Sequence, residues 1–413
     1  ARIVLKDAAG TELDLTSFRG KIETDLRRRD FTFNAMALDL PEVVSASADA
    51  RLIDPFNGMK DLSNGVVRAV ADKAFIDDPV RVLRAVRFYA ELGFTIDFHT
   101  EELIKQSAGL LPESAGERIR EEFMRLLDVS HDGQACIYLD ELGILTVLFP
   151  ELSAARGVSQ PVEHHWDVFT HSLQCVKAVD FILRQGTWDY PDKWILKAVP
   201  WPSFCPKYFA SQIGSGTSRR TLLKLAALLH DVAKPQTKAP DKNGRMRFIG
   251  HPEQGAEIVK KIMGRLNFSS KEKNFVTSVV QYHLRPTQMG LPPTSRAIYR
   301  YFRDTGDSGI AVLYISLADH LATRGPGLIP GGWREHANMV RYVLRQHFRR
   351  VETGPPPKLL DGHDLIDVFG LQPGPKLGEL LESVREAQGA GELTNRHQAL
   401  DYIRNVLSGR KNR

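Results

Sequence analysis

The sequence predicts an α+β fold that is mostly α, and three observations carry that expectation. Strand-like alternation is confined to the start of the chain, in ARIVL and LDLTSF within residues 1–18. From Asp77 onward, apolar residues recur at three and four, the spacing of a helix face. No apolar run approaches the roughly 20 residues of a membrane span, so the helices should pack on one another, and no membrane partner is expected.

The elements follow in order. Residues 1–40 read as strand, turn, strand and helix: ARIVL alternates, AAGTE turns, and Leu13, Leu15 and Ser17 alternate against Asp14 and Thr16. RLIDPFNGMKDLSNGVVRAV at 51–70 holds a Pro–Asn–Gly turn region and a second turn at SNG. DDPVRVLRAVRFYAELGF at 77–94 reads as a helix starting near Asp78, with Val82, Leu83, Val86, Tyr89 and Ala90 recurring along it and Gly93 ending it. Helices alone are expected from there to about residue 150. Residues 186–220, rich in Trp, Pro, Gly and Ser, look like a loop insertion, and 221–350 are helical again. ETGPPPK at 352–358 is a stiff linker, and the remainder forms a small helical module.

The 413 residues suggest roughly two to four domains. Hydrophobic residues at 42% and charged residues at 25% exclude a disordered or membrane-embedded chain. ARIVLKDAAG lacks the apolar core of a signal peptide. Cys136, Cys175 and Cys205 have no metal-site spacing, as expected for free thiols in a reducing cytoplasm. A net charge of +5 is mild support for a polyanionic partner.

LRRRDFTFNAMALDL at 26–40 sets three arginines beside an acid, ahead of an apolar run that carries Asn34. A capped helix with a basic start would explain it. A nucleotide site explains more, with guanidinium groups for phosphate and a carboxylate and an amide for the sugar. The same logic recurs at Asp77, Asp78 and Arg81. Asp78 and Arg81 share a helix face, offering acceptors and paired donors to a base edge. Arg84 and Arg87 continue the row toward a phosphate-sized partner. An N-cap aspartate with an internal ion pair is the plainer alternative for this segment.

In order along the chain, RRDFTFNAMALD, LIDPFNGMKDLSNGVVRAV, DDPVRVLRAVRFYAELGF and ERIREEF resemble the bacterial tRNA nucleotidyltransferase and poly(A) polymerase family. The resemblance covers residues 1 to about 150. It implies that Arg28, Arg29, Asp30 and Asn34 bind ribose and triphosphate. It makes DPFNG the hinge between head and neck, and it gives base reading to Asp78 and Arg81. Asp77 stands where the family has a glutamate and is one methylene shorter. Glu117 and Arg118 would brace the neck. The family's Gly-Gly loop and Asp-x-Asp pair, which hold magnesium, have no counterpart before Leu26. The expectation is therefore a chain that begins inside a longer protein, its magnesium ligands lying upstream of residue 1; a homologue that has lost nucleotidyl transfer is the alternative.

A second chemistry lies further on. THSL gives His171, LLHDVAKP gives His230, Asp231 and Lys234, GHPEQ gives His251, YHLRP gives His283 and LADHLA gives Asp319. An adjacent imidazole and carboxylate in an apolar helix are costly to bury unless something satisfies both. His171, His230, Asp231 and Asp319 suit a divalent metal, Mn, Ni, Co, Fe or Mg. His251 and His283 would complete a second site and, with Lys234, serve catalysis. The ordered set resembles the HD phosphohydrolase superfamily. His164 and His165 lie just upstream and read as loop residues.

The expected organisation is a head remnant at 1–60 of polymerase-β-like type, a helical neck at 61–150, an HD domain at 151–351 and a tail at 352–413. The resemblance implies a cytoplasmic tRNA nucleotidyltransferase, adding CMP and AMP or AMP alone, that uses ATP, CTP and magnesium with tRNA as partner. A homodimer stays open. The alternatives are an HD phosphohydrolase acting on 2′,3′-cyclic or 2′-phosphate ends with a non-catalytic tRNA-binding head, and a silent tRNA-binding protein.

Overall fold

The computed structural model describes residues 2–4, 12–14, 17, 20–39, 51–190, 193–214, 216–353 and 357–408. The chain divides into two compact units, residues 1–130 with 134–150, and 131–133 with 151–413.

In the first unit, strands Arg2–Val4 and Glu12–Asp14 pair antiparallel, Ile3 facing Leu13. Residues 8–11 of the expected AAGTE turn and the expected linker core at 354–356 lie outside the described residues, and Glu12 opens the second strand. The short Ile22–Leu26 helix ends before the arginines, so RRRD is a helix exit and not the basic start of a capped helix. Phe31 and Phe33 explain why. Both are buried, Phe31 lies edge-on to Phe88 at 5.6 Å, and Phe33 meets Phe88 at 5.2 Å and Phe94 at 5.9 Å. Burying these rings anchors the chain immediately after the charges. Residues 30–32 then pair with 68–70 through Thr32 N–H to Arg68 O and Val70 N–H to Asp30 O.

Asn57, at φ 59°, opens the Gly58–Asn64 helix, and SNG supplies that helix's end, with Gly65 left-handed. Gly58 is required, because a Cβ there would run into Thr32 O. The long helix starts at Arg81, three residues later than expected, and runs to Leu92. Pro79 explains the delay: Asp78, the residue before it, is held extended at φ −153° and closes a separate short helix, Ala74–Asp77. Gly93 terminates the helix with φ 68°. Arg81–Leu92 packs along Gly116–Val129. One parallel strand pair, Val66–Val67 with Thr95–Ile96, interrupts the all-helical stretch expected there.

In the second unit, helices Val168–Ile182, Arg219–Leu229, His251–Arg265, Ser270–Tyr282 and Gly309–Arg324 form one core. Residues 186–220 are more ordered than their composition predicts, with helices Lys193–Ala198 and Cys205–Ala210 and a small hairpin. Trp188, Ile195, Val199 and Phe209 are buried and hold the segment down. A hairpin, Lys238–Pro240 with Met246–Phe248, breaks the run of helices at a turn whose Gly244 has φ 74°. The tail helices Gly362–Phe369, Pro375–Gly389 and Arg396–Leu407 enclose their own apolar cluster around Leu365, Leu380, Val384 and Ile403. No helix among the described residues is long and apolar enough to cross a membrane.

Candidate functional site

Each unit gathers one cluster of the residues singled out from sequence. In the first, Asp25 collects two arginines: Oδ1 accepts from Arg28 at 2.6 Å and Oδ2 from Arg29 at 3.1 Å. Both guanidinium groups stay open to solvent, with 70% and 50% of their side chains exposed, so each retains donors for a phosphate. Their hydrogen bonds hold the Asp25 carboxyl below its ordinary value, against burial. Asp25 escaped notice in the sequence, although its place three and four residues before the arginines was the available signal.

Asp30 is buried. Its Oδ1 accepts from Phe31 N–H at 2.9 Å and from Asn34 Nδ2 at 3.3 Å, so Asp30 and Asn34 meet. Arg81 sends its guanidinium to backbone carbonyls, Arg28 O at 2.6 Å, Arg29 O at 3.3 Å and Ala74 O at 3.1 Å. Its Nε lies 3.7 Å from Asp78 Oδ2, which also accepts from Arg118 at 2.7 Å. Asp78 Oδ1 is buried and accepts no hydrogen bond. Asp77 points elsewhere, with its carboxylate 3.6 Å from Lys73 Nζ and half exposed. Arg84 and Arg87 do not form the outward row expected of them. Arg84 bonds Asp30 Oδ2 through Nε at 2.8 Å and lies 3.3 Å from Glu122 Oε1, and Arg87 Nε bonds Glu122 Oε2 at 2.9 Å. Glu122 was missed from sequence. The signal was a carboxylate within the apolar stripe of Ile119, Phe123 and Leu126.

The second cluster is almost dry. His171, His230, Asp231, His251 and His283 are buried, and Asp319 is one-fifth exposed. Two triads form: His171, His230 and Asp319, and Asp231, His251 and His283, the ligand atoms within each lying within 4.8 Å of one another. Asp231 joins them. Its Oδ2 lies 3.4 Å from His171 Nε2 and 3.2 Å from His230 Nε2, and its Oδ1 lies 3.4 Å from His251 Nε2. Three rings have Nδ1 against a carbonyl, His230 at Ala227, His251 at Phe248 and His283 at Val280, at 2.8, 2.6 and 2.7 Å. Donating there leaves each Nε2 lone pair directed at the carboxylates.

Such a set fits a divalent cation. Neither oxygen of Asp231 has a well-directed hydrogen bond, although Lys234 Nζ stands 2.7 Å from Oδ2. A buried carboxylate left this way calls for positive charge. Burial disfavours a charged His230, yet the Asp231 and Asp319 carboxylates overcome it and raise that imidazole to about 10. Burial and the neighbouring His230 push His283 down to about 3. Lys234 also donates to Gln160 at 2.7 Å, a contact no sequence pattern announced. His164 belongs here more than its loop position implied, since its ring lies 5.7 Å from that of His171.

Comparison with known proteins follows the same division. Residues 2–68 match the model of the poly A polymerase head domain, 93–156 that of the probable RNA and SrmB-binding site of polymerase A, 207–324 that of the HD domain, and 357–403 that of a putative tRNA nucleotidyltransferase domain 2. An A-adding tRNA nucleotidyltransferase from Deinococcus radiodurans is 31% identical over 402 residues, covering 96% of this chain and 82% of the relative. A CC-adding tRNA nucleotidyltransferase from Thermus thermophilus is 29% identical over 407 residues, 97% of this chain and 81% of the relative. Among solved structures, a CCA-adding enzyme in complex with ATP superposes with a TM-score of 0.60 at 20% identity, covering 100% of this chain and 79% of that one.

Proposed function

This chain belongs to the tRNA nucleotidyltransferase and poly(A) polymerase family, and from that premise we propose that it adds CMP and AMP, or AMP alone, to tRNA 3′ ends, with Arg28 and Arg29 receiving the triphosphate and Asp78 and Arg81 reading the base. The observation that carries the base-reading role is Asp78 Oδ1, a buried acceptor with no donor. Adenine and cytosine each set an exocyclic amine donor beside a ring-nitrogen acceptor at the pairing edge; uracil has a carbonyl in the amine's place, and guanine has a carbonyl there with its donors at N1 and N2. A carboxylate beside a guanidinium, Asp78 beside Arg81, matches the first arrangement and so favours ATP and CTP over the other two. Nucleotidyl transfer requires magnesium at the triphosphate.

Equilibrium binding of labelled ATP, CTP, GTP and UTP tests the assignment, alongside tRNA minihelices ending at the discriminator base, at C or at CC. ATP and CTP should bind in preference to UTP and GTP, and Arg28→Ala with Arg29→Ala should abolish binding of all four. Equal affinity for all four nucleotides would remove the base-reading role. The minihelix preferred for binding separates A addition from complete CCA addition.

The second cluster supports a further activity, metal-dependent phosphoester hydrolysis. His171, His230 and Asp319 would hold one cation and Asp231, His251 and His283 a second, supplying Lewis-acid chemistry when bound. Lys234, beside Asp231 and steered by Gln160, is placed to neutralise charge on a phosphate. Hydrolysis of bis-p-nitrophenyl phosphate or 2′,3′-cyclic AMP by the metal-loaded protein tests this; inactivity on both would leave the cluster a structural relic.

A further inference from the structure

We propose that Arg84 is a positioning residue for the nucleotide site: it acts on bound triphosphate only through Asp30, by fixing the turn that carries Arg28 and Arg29. The inference rests on the nucleotide site proposed above.

Its basis is how the RRD turn is held. The turn leaves a short helix and enters the aromatic cluster at Phe31, so its course depends on the few groups between. Arg81 fixes the backbone there, through the Arg28 and Arg29 carbonyls. Arg84, one turn along the same helix, fixes the side chain of Asp30, with Nε 2.8 Å and a terminal nitrogen 2.7 Å from Oδ2. The other Asp30 oxygen binds Phe31 N–H and Asn34, so this carboxylate has acceptors engaged on both sides.

Arg84 has little left for a ligand. Its remaining terminal nitrogen faces Glu122 Oε1 at 3.3 Å, and Glu122 is in turn held by Arg87. Asp30 and Glu122 are both buried. Turning Arg84 toward a phosphate would therefore take the charged partner from buried Asp30 and leave Glu122 to Arg87. The exposed guanidinium groups lie on Arg28 and Arg29. The result is a division of labour in which the outer arginines meet the phosphates and the inner one holds the turn that presents them.

A double-mutant cycle read by ATP binding to the full chain tests this. Arg84→Met and Asp30→Asn should each weaken ATP binding about tenfold, and the double variant should be no weaker than the worse single within about twofold. Arg84→Lys should recover part of the loss. AMP binding should change less than ATP binding. The salt dependence of ATP affinity should keep its wild-type slope in Arg84→Met and flatten in Arg28→Ala, because only a direct phosphate contact contributes to that slope. Additive losses, or a flattened slope in Arg84→Met, would place Arg84 on the phosphate and overturn the proposal. If Arg84→Met does not fold, the double variant compared with Asp30→Asn alone answers the same question, since it leaves no charge on Asp30. If Arg28→Ala leaves ATP affinity unchanged, it is the nucleotide site that fails.

Discussion

The two clusters solve the burial of charge in opposite ways. Around Asp30, arginine answers carboxylate: Arg84 lies between Asp30 and Glu122, Arg87 braces Glu122, and Arg118 meets Asp78. Around Asp231, four histidines and two aspartates crowd together with one lysine as the only permanent cation among the named residues. The first pairs its charges within the protein, with Asp78 Oδ1 left without a donor, and keeps its outer arginines, held by Asp25, exposed to solvent. The second sets two carboxylates among buried imidazoles, and those carboxylates raise the His230 imidazole against its burial. Under the proposed assignments, charge compensation within a site separates one built for an anion from one built for a cation.

The largest expected effect comes from breaking the second cluster. His230→Ala with Asp231→Ala removes a ligand from each triad and the carboxylate that joins them. Elemental analysis of the purified variant should show divalent metal at background, with phosphodiester hydrolysis lost in parallel. Far-ultraviolet circular dichroism should stay unchanged, because each helix still buries its apolar face. Chelation of the wild type should lower its melting temperature. A cation present at a hundred times its Kd contributes about 2.7 kcal/mol, at about 2–4 °C per kcal/mol for a unit of this size. An unchanged melting temperature after chelation, with metal shown to be gone, would mean that the cluster is satisfied without a cation.

A third group sharpens the contrast, because it is buried and sets one cation against one anion. Lys224 Nζ stands 2.6 Å from Asp180 Oδ1, both side chains 1% exposed, and Asp180 Oδ2 accepts from Gly133 N–H at 3.2 Å. Burial raises the Asp180 carboxyl even against the adjacent lysine. Lys224→Met should cost about 3–5 kcal/mol by leaving that carboxylate alone, and adding Asp180→Asn should return most of it. Chemical denaturation of the two variants measures both. A single variant as stable as the wild type would show that the pair is not what keeps Asp180 buried.

Residue chemistry was easier to read from sequence than residue direction. RRDFTFN and the His-Asp pair announce themselves because charged groups stand against apolar ones, and the structure brings each set together. The sequence sets Arg84 and Arg87 toward a phosphate, and the structure turns them to Asp30 and Glu122. Periodicity fixes which residues share a helix face, but the neighbour on that face, here Gly116–Val129 with Glu122, is set by packing. The two helices within 186–220 are hidden for a related reason: Trp188, Ile195 and Phe209 are too widely spaced to form a pattern, and only the surface they cover makes them a core. Asp78 shows the reverse case: the Pro79 that follows it holds it extended, a local rule that places the helix start at Arg81.

Within the anion-awaiting cluster, Arg81→Ala sharpens the comparison further. The side chain spans three carbonyls and neighbours Asp78. Its loss should cost about 1–3 kcal/mol of ATP and CTP binding and reduce the preference over UTP and GTP. Unchanged affinity and selectivity would show that neither the turn nor the base depends on it.

The smallest effect is expected where arginine–carboxylate pairs are complete but wet. Arg296, Arg300 and Arg303 line one face of the Ser295–Thr305 helix and meet tail glutamates: Arg296 and Glu392 at 2.8 Å, Arg300 and Glu386 at 2.6 Å, and Arg303 with both Glu382 and Glu386 at 2.7 Å. These are the same partners as around Asp30, but the arginine side chains are 32%, 47% and 37% exposed. Solvent then supplies most of what the carboxylate supplies, and ordering two long side chains opposes the rest. Arg300→Ala should therefore lower stability by less than about 1 kcal/mol. The tail should stay folded, because its apolar cluster around Leu365 and Ile403 is its own. Thermal unfolding of wild type and variant at low and high salt decides the matter. The difference should shrink as the Debye length falls from about 10 Å at 0.1 M to about 3 Å at 1 M. A loss of several kcal/mol that persists in high salt would mean that exposure does not separate these pairs from the buried ones, and burial would lose its place as the variable that sorts the charged groups of this protein.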